Sequence, residues 1–456
     1  MEELKSYLEK EKGQALDGLK NFIRIPSVST HSKHKEDLVR CAQFIADELE
    51  RIGMDDVSIN PTAGHPIVTA EWLGAPGKPT VLFYGHYDVQ PPEPIELWNS
   101  DPFEPTIRGD NLYGRGSTDD KGQVWVHIKA LEALLKKNGC LPVNVRILIE
   151  GEEEVSSENL ESFLDSCGDK LKADVVMISD TSMFDYEEPS IGYALRGMAY
   201  MEVRVEGPAK DLHSGVYGGG VPNPLNVLST ILGSMVNSEG HINIPRFYDD
   251  VIPIDQVERN SISELPFKVD NFAEQLGLNE VAGEKGFSTL ERLWTRPTLD
   301  INGMLGGFIG EGSKTVIPSK AMAKVSMRLV PHQDPQKIAK AFEDYVIANA
   351  PSSVKIEVLC HGTGKPVLTA RNHPAVRAAH TAITKGFGKP PVYIREGGSI
   401  PVVAMFEEKF ELPTVLMPFG LPDCDAHAPN EKFHLPNFFR GIESAVWFYE
   451  EYGKNP

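Results

Sequence analysis

Apolar runs alternate with helical patterns along the first part of the chain. Residues 80–84 (TVLFY) form a short strand-like run stopped by Gly85. Residues 123–137 space charged and apolar positions as an amphipathic helix does, and 143–149 and 173–179 are again strand-like. Strands alternating with helices predict an α/β architecture with a mostly parallel central sheet. The middle of the chain changes style. Residues 198–206 (MAYMEVRVE), 321–330 (AMAKVSMRLV) and 354–360 alternate as half-exposed strands do, and 335–348 is helical. After about residue 364 the α/β pattern returns, with a helix over 375–387, a strand over 414–417 and a closing helix over 437–452. The pattern therefore predicts one domain built from 1–194 and 364–456, interrupted by a smaller α+β domain over 195–363.

The longest uncharged run, 214–238, raises the question of a membrane span. It contains a triple glycine and two prolines, while Leu225, Leu228, Leu232 and Met235 recur at three- and four-residue intervals. With Pro224 at a plausible first helical position after Asn223, the run predicts a helix with one buried face. Residues 1–20 lack the apolar stretch and cleavage site of a signal peptide.

Composition narrows the classes. Apolar residues are 41% and charged residues 24% of the 456, ordinary values for a folded soluble protein. Acidic residues outnumber basic ones by 65 to 45, a formal charge of −20. That balance argues against a nucleic-acid or anionic-membrane surface as the main partner. The five cysteines are scattered and form no CxxC pair, which disfavours a disulfide framework or a cysteine-type zinc site. A soluble cytoplasmic protein is expected.

Four strand-like runs lead into acids or histidine. The first meets His86-Tyr87-Asp88, the second Glu150 to Glu154, the third Asp180, and the fourth Asp423, Asp425 and His427. Between the first two lies Gly114 to Gly122 (GRGSTDDKG), just before a helix. Ligands of open α/β sheets bind beyond the carboxyl ends of the strands. Asp, Glu and His gathered there form the donor set of a divalent metal such as zinc. In His86-x-Asp88 both side chains share a strand face, so Asp88 can orient the imidazole. Each piece alone has an ordinary explanation: a polar strand end, a helix cap at Asp119-Asp120, a solvated acidic run. Their joint placement at one sheet edge is what points to a site. Three adjacent glutamates also repel unless a cation or proton lies among them.

The stretches FYGHYDVQP (83–91), YGRGSTDDKG (113–122), EGEEE (150–154), ISD (178–180), DLHSG (211–215), REGGSIP (395–401) and the closing Asp425-Ala426-His427 with Asn430-Glu431 resemble the aminoacylase/carnosinase family of dinuclear zinc metallopeptidases, in its non-specific dipeptidase branch. The likeness spans nearly the whole chain in the family's order and spacing. It implies a catalytic domain interrupted by a lid and dimerisation domain, and a homodimer. It implies two zinc ions per subunit (manganese or cobalt being alternatives), bridged by Asp119. His86 and Asp180 would complete one ligand set, and Glu154 and His427 the other. Glu153 would be the general base and Asp88 the residue orienting His86. In the family the bond after the bridging aspartate is cis, which here is Asp119–Asp120. The branch often carries an apolar residue where Glu152 stands.

The resemblance also implies substrate contacts. His213 would stabilise the oxyanion, with the partner subunit's His213 reaching the site. Arg328 would hold the substrate's free carboxylate, since a guanidinium offers two parallel bonds to it. Thr315 and Ser399 would be further contacts. A carboxylate clamp beside the metals favours dipeptides, with broad specificity on the amino side. The alternatives are a deacylase of N-acylated amino acids, which shares the metal set, and a non-catalytic scaffold. A scaffold is disfavoured because every ligand position and Glu153 are present.

Overall fold

The computed structural model describes residues 2–397 and 401–454. The chain divides into two compact units: Met1–Tyr193 with Thr369–Ile394 and Met405–Pro456, and Ala194–Leu368 with Arg395–Ala404. The second unit thus takes in a segment, Arg395–Ala404, that the sequence pattern assigns to the first.

The first unit is organised by a mixed sheet. Its order is Asp55–Asn60, Ile67–Trp72, Asn144–Glu150, Thr80–His86, Val175–Ile178, Thr414–Leu416, Ser190–Leu195, with Val392–Glu396 also pairing Ser190–Leu195; the last two residues of Ser190–Leu195 fall in the second unit and pair there with Val367–Leu368. The four central strands, from Asn144–Glu150 to Thr414–Leu416, pair in parallel. Asp55–Asn60 and Ile67–Trp72 on one side, and Ser190–Leu195 on the other, are joined on by antiparallel pairing. The first two are joined by only a short loop, which permits a hairpin and no crossover. The central strands are rich in apolar residues because both faces are covered: Val81 to His86 and all of Val175–Ile178 are buried.

The helix Lys121–Asn138 departs from the amphipathic expectation. All fourteen residues from Lys121 to Leu134 are buried. Its polar side chains are tolerated because they are paired. Gln123 Oε1 accepts from the Phe419 N–H at 2.9 Å, His127 Nε2 lies 2.8 Å from Ser179 Oγ, and Lys129 pairs with Glu48 and Glu132. A Cβ on Gly122 would lie 1.9 Å from the Ser117 carbonyl oxygen, so the turn into this helix requires glycine.

The second unit contains a four-stranded antiparallel sheet, ordered Thr298–Gly306, Lys320–Leu329, Gly197–Glu206, Lys355–Gly364. Lys320–Leu329 alternates strictly between buried and less buried positions, as its sequence predicts. Helices Pro224–Ser234 and Pro335–Ala348 cover the apolar face, and Leu228, Leu232, Met235 and Phe342 are buried there. The uncharged run thus does form a helix with one buried face, used in this unit's own core. The edge strand Thr298–Gly306 was not legible in the pattern, because its residues from Asp300 to Leu305 are all exposed. Among the described residues no helix is long and apolar enough to cross a membrane.

Candidate active site

Three of the four parallel strands lead at their C-terminal ends into His86, the acids from Glu150 to Glu154, and Asp180, while Asp119 and His427 come from loops. His86 is the last residue of Thr80–His86 and is fully buried. Its Nδ1 lies 3.1 Å from the Asp88 carbonyl oxygen and 3.4 Å from Asp88 Oδ1. Asp88 is itself fully buried, and its two carboxylate oxygens accept the N–H groups of Glu153 (3.2 Å) and Glu154 (3.1 Å). One side chain therefore ties the His86 strand to the acidic loop.

Two donor groups form around Asp119. His86, Asp119 and Asp180 make one, and Asp119, Glu154 and His427 the other; the donor atoms of each lie within 4.8 Å of one another. Asp119 belongs to both and divides its oxygens between them. Oδ1 is 3.1 Å from His86 Nε2, and Oδ2 is 2.9 Å from His427 Nε2. Asp180 Oδ2 is 3.5 Å from His86 Nε2, and Glu154 Oε2 is 3.2 Å from His427 Nε2. The peptide bond Asp119–Asp120 is cis.

The acidic loop contains four glutamates with separate tasks. Glu150 accepts from the Tyr84 hydroxyl at 2.6 Å and the Ser157 hydroxyl at 3.0 Å. Glu152 accepts from Asn159 Nδ2 on both oxygens (3.0 and 2.9 Å) and from the His65 N–H at 3.0 Å. It presses so closely on Gly64 that a Cβ there would lie 1.6 Å from its Oε1. Glu154 faces His427 and accepts from Gln90 Nε2 at 2.7 Å. Glu153 remains, beside Asp180, Glu154 and His86. Burial, reinforced by the charges of Asp180 and Glu154 against that of His86, pushes its carboxyl up to about 8.

The electrostatics describe a cluster short of positive charge. His427 is pushed up to about 10 by Asp119 and Glu154, against the effect of burial. Burial also opposes a charge on His86, yet Asp180, Asp119 and Asp88 together raise it well above the usual imidazole value. Burial works against ionisation of Asp119, but His427 and His86 hold it below the usual carboxylate range. Asp119, Glu153, Glu154 and Asp180 bring four carboxylates together, which two divalent cations would balance. The donors suit such ions. His86 Nε2 is buried and makes no hydrogen bond, while Nδ1 is placed to donate to Asp88. That is the arrangement of a ligating imidazole whose other nitrogen is held by a carboxylate or carbonyl. The residues present therefore fit a pair of metal ions sharing Asp119.

His213, Thr315 and Arg328 belong to the second unit. His213 and Thr315 are brought together there: Leu212–His213 pairs with Val316–Ile317, and the Ser214 N–H donates to the Thr315 carbonyl at 3.0 Å. His213 is exposed and its Nδ1 accepts from the Gly215 N–H at 3.0 Å, which leaves the ring proton on Nε2 as an outward donor. Arg328 stands on Lys320–Leu329, opposite Thr298 and Met198 on the neighbouring strands. Ser399 lies outside the described residues. Gln90, Arg115 and Glu431 lie in the motif stretches, but their spacing gives them no task. Gln90 was findable, standing two residues after Asp88 on the same segment. Glu431, more than three hundred residues from the loop it holds, was not.

Two donor sets sharing one carboxylate, with a half-buried, uncommitted glutamate beside them, define a hydrolase centre of the dinuclear metal class. The chain belongs to peptidase family M20/M25/M40, whose family model matches residues 82–450. It is 34% identical to the Cys-Gly metallodipeptidase dug1 of Schizosaccharomyces pombe, covering 99% of this chain and 98% of the relative. It is 33% identical to the human Beta-Ala-His dipeptidase, over 99% of this chain and 92% of the relative. Among solved structures, the M20 family metallo-carboxypeptidase Sso-CP2 of Sulfolobus solfataricus superposes with a TM-score of 0.85 at 34% identity, covering 96% of this chain and 99% of that one.

Proposed function

We propose that the chain hydrolyses the peptide bond of dipeptides carrying a free C-terminal carboxylate, using two divalent ions, zinc in the first instance. The observation that carries this reading is the division of Asp119 between His86 and His427, with Glu153 half-buried beside them and, among the described residues, held by no side-chain hydrogen bond. His86, Asp119 and Asp180 would hold one ion, and Asp119, Glu154 and His427 the other. When bound, such ions supply Lewis acidity that polarises the scissile carbonyl and acidifies the attacking water. Glu153 takes the water's proton on its carboxylate and returns it to the leaving amine. Asp88 keeps His86 and the Glu153 backbone in register. The outward Nε2–H of His213 suits a developing oxyanion, and the fork of Arg328 suits the substrate carboxylate.

We further propose that 1–194 with 364–456 forms the catalytic domain and 195–363 the lid, that the enzyme is a cytoplasmic homodimer, and that the partner subunit's His213 completes each site. Support for an interface comes from the edge strand Thr298–Gly306 and the turn after it. Leu305 is 58% exposed and Ile309 85%, on an unpaired strand edge that isolated molecules rarely leave open. Five unpaired cysteines suit a reducing compartment.

The relatives are peptidases, so the deacylase reading is not favoured. The Sso-CP2 likeness favours a second reading, a carboxypeptidase acting on longer peptides. Comparing kcat/KM on a dipeptide, its C-terminal amide, an N-acetyl amino acid and a pentapeptide separates the three. The dipeptide should lead, the amide should fall at least ~10-fold, as expected for a lost charge-assisted pair, and Arg328→Ala should be nearly blind to amidation. A pentapeptide cleaved as fast as the dipeptide would replace dipeptidase by carboxypeptidase.

A further inference from the structure

The loop that carries His427 is an unlikely platform for a metal ligand. Asp425, His427 and Asn430 all have left-handed backbones, with φ of 57°, 62° and 67°. None is glycine, so the surrounding structure must hold this conformation. Two attachments do so. Asn430 accepts from the Asn99 N–H at 2.9 Å and donates to the Leu97 carbonyl at 2.8 Å. The other attachment is the fully buried pair Arg115–Glu431.

Glu431 has no exposed surface, and its two oxygens accept four hydrogen bonds. Oε2 takes Arg115 Nη1 at 2.8 Å and the Gly116 N–H at 2.8 Å. Oε1 takes the Thr118 N–H at 2.9 Å and the Asp119 N–H at 3.1 Å. The carboxylate thus sits inside the turn whose last residue is the shared ligand Asp119. Arg115 works in the opposite direction: its Nη2 donates to the Ala428 carbonyl at 3.2 Å, next to His427, and to the Pro91 carbonyl at 3.3 Å. The Gly114 N–H donates to the Glu431 carbonyl at 3.0 Å, and the Thr118 hydroxyl to the Lys432 carbonyl at 2.6 Å. The small ladder Asn111–Tyr113 with Lys432–His434 leads directly into this contact. Two segments more than three hundred residues apart are therefore locked together by a buried charge pair and the backbone bonds beside it, and each delivers a ligand to the same donor set.

We propose that Arg115–Glu431 is a positioning clamp that pre-forms the Asp119–His427 half of the metal centre before any ion arrives. The proposal rests on the reading of the two donor groups as metal sites. Asp119 is common to both sets, but His86 and Asp180 are set by strand ends and by Asp88 whereas His427 depends on the clamp, so the clamp should act unequally on the two ions. A residue that only stabilised the fold would affect both alike.

The test is Zn2+ binding by competition with a chromophoric chelator, together with hydrogen exchange of the full chain stripped of metal. In stripped wild-type protein, peptides covering 114–119 should exchange as slowly as strand Asn144–Glu150. In Glu431→Gln, one Zn2+ dissociation constant should rise at least ~10-fold, the usual scale for a residue that orients a ligand, and the other less than ~3-fold. Exchange of 114–119 at unstructured rates until Zn2+ is added overturns the clamp, and so does an equal rise in both constants. Should Glu431→Gln fail to fold, the wild-type exchange decides alone. Wild-type protein that takes up no Zn2+ at all overturns instead the metal reading beneath the proposal, a result distinct from two ions bound and weakened equally.

Discussion

The two halves of the candidate centre are built in opposite ways. The His86 half grows from the ends of parallel strands: His86 is fully buried, its ring is fixed through Asp88, and Asp180 follows the next strand. The His427 half stands on a left-handed loop, and its imidazole is 57% exposed. Strand ends place ligands through the fold's main hydrogen-bond ladders. A loop relies on contacts outside those ladders, here chiefly those of Arg115, Glu431 and Asn430. The first half should therefore tolerate loss of distant contacts and the second should not. Asp119 joins them and should tolerate nothing.

The largest effect is expected at that junction. Asp119→Ala should empty both positions and lower turnover more than ~10³-fold, since Lewis acidity and water activation depart together. Elemental analysis beside the rate checks this; one retained ion would show that the halves are not joined by Asp119. Next come the two histidines compared directly. His86→Ala should weaken metal binding on the order of 100-fold and also lower thermal stability through a buried cavity, whereas His427→Ala should weaken binding on the order of 10-fold with little loss of stability. Equal thermal shifts would erase the distinction between a strand-borne and a loop-borne ligand.

A third prediction concerns the second unit. His213→Ala and Glu153→Gln homodimers should each be nearly inactive. Subunit exchange between them should restore about a quarter of wild-type activity, because half the dimers are mixed and each holds one intact site of two. Demonstrated exchange without recovery would keep His213 within its own subunit.

The smallest effect is a pH dependence of the metal-free protein. Glu153 is raised to about 8 from an ordinary 4.5, and His427 to about 10 from 6.5. Across that whole span, from about pH 4.5 to about pH 10, the folded chain holds protons that the unfolded chain has released. Stability of the stripped protein should therefore fall as pH rises through it. Bound divalent ions replace those protons, so the loaded protein should show a flatter profile. A stripped protein that gains stability between pH 5 and pH 8 would contradict the charge balance drawn here.

Ligand candidates of both halves stood out in the sequence; the contacts that hold the His427 loop did not. Val81 to Tyr84 and 173–179 announce buried strands, and the acids after them follow from the rule that ligands gather at strand ends. The DLHSG and GRGSTDDKG stretches supplied roles through family resemblance. What stayed hidden was either exposed or remote. Thr298–Gly306 is a strand without a buried face, so no period-two pattern marks it. Glu431 reads as one more acid near the end of the chain, because its four donors come from 115–119. The helix Lys121–Asn138 looked amphipathic because its polar residues are paired inside the protein, which spacing alone does not reveal. In the run of acids, the separation of Glu152 from Glu153 came from Asn159 and His65, neither of which the spacing singles out.

The central assignment is Glu153 as an acid that moves a proton and binds no metal. Glu153→Gln, purified and analysed for metal beside its rate on a dipeptide, tests this most directly. Two ions retained per subunit with turnover lowered at least ~10²-fold, the scale of a lost general base, is the predicted result. Loss of an ion would make Glu153 a ligand, and a near-wild-type rate would remove it from the chemistry; either would contradict the assignment.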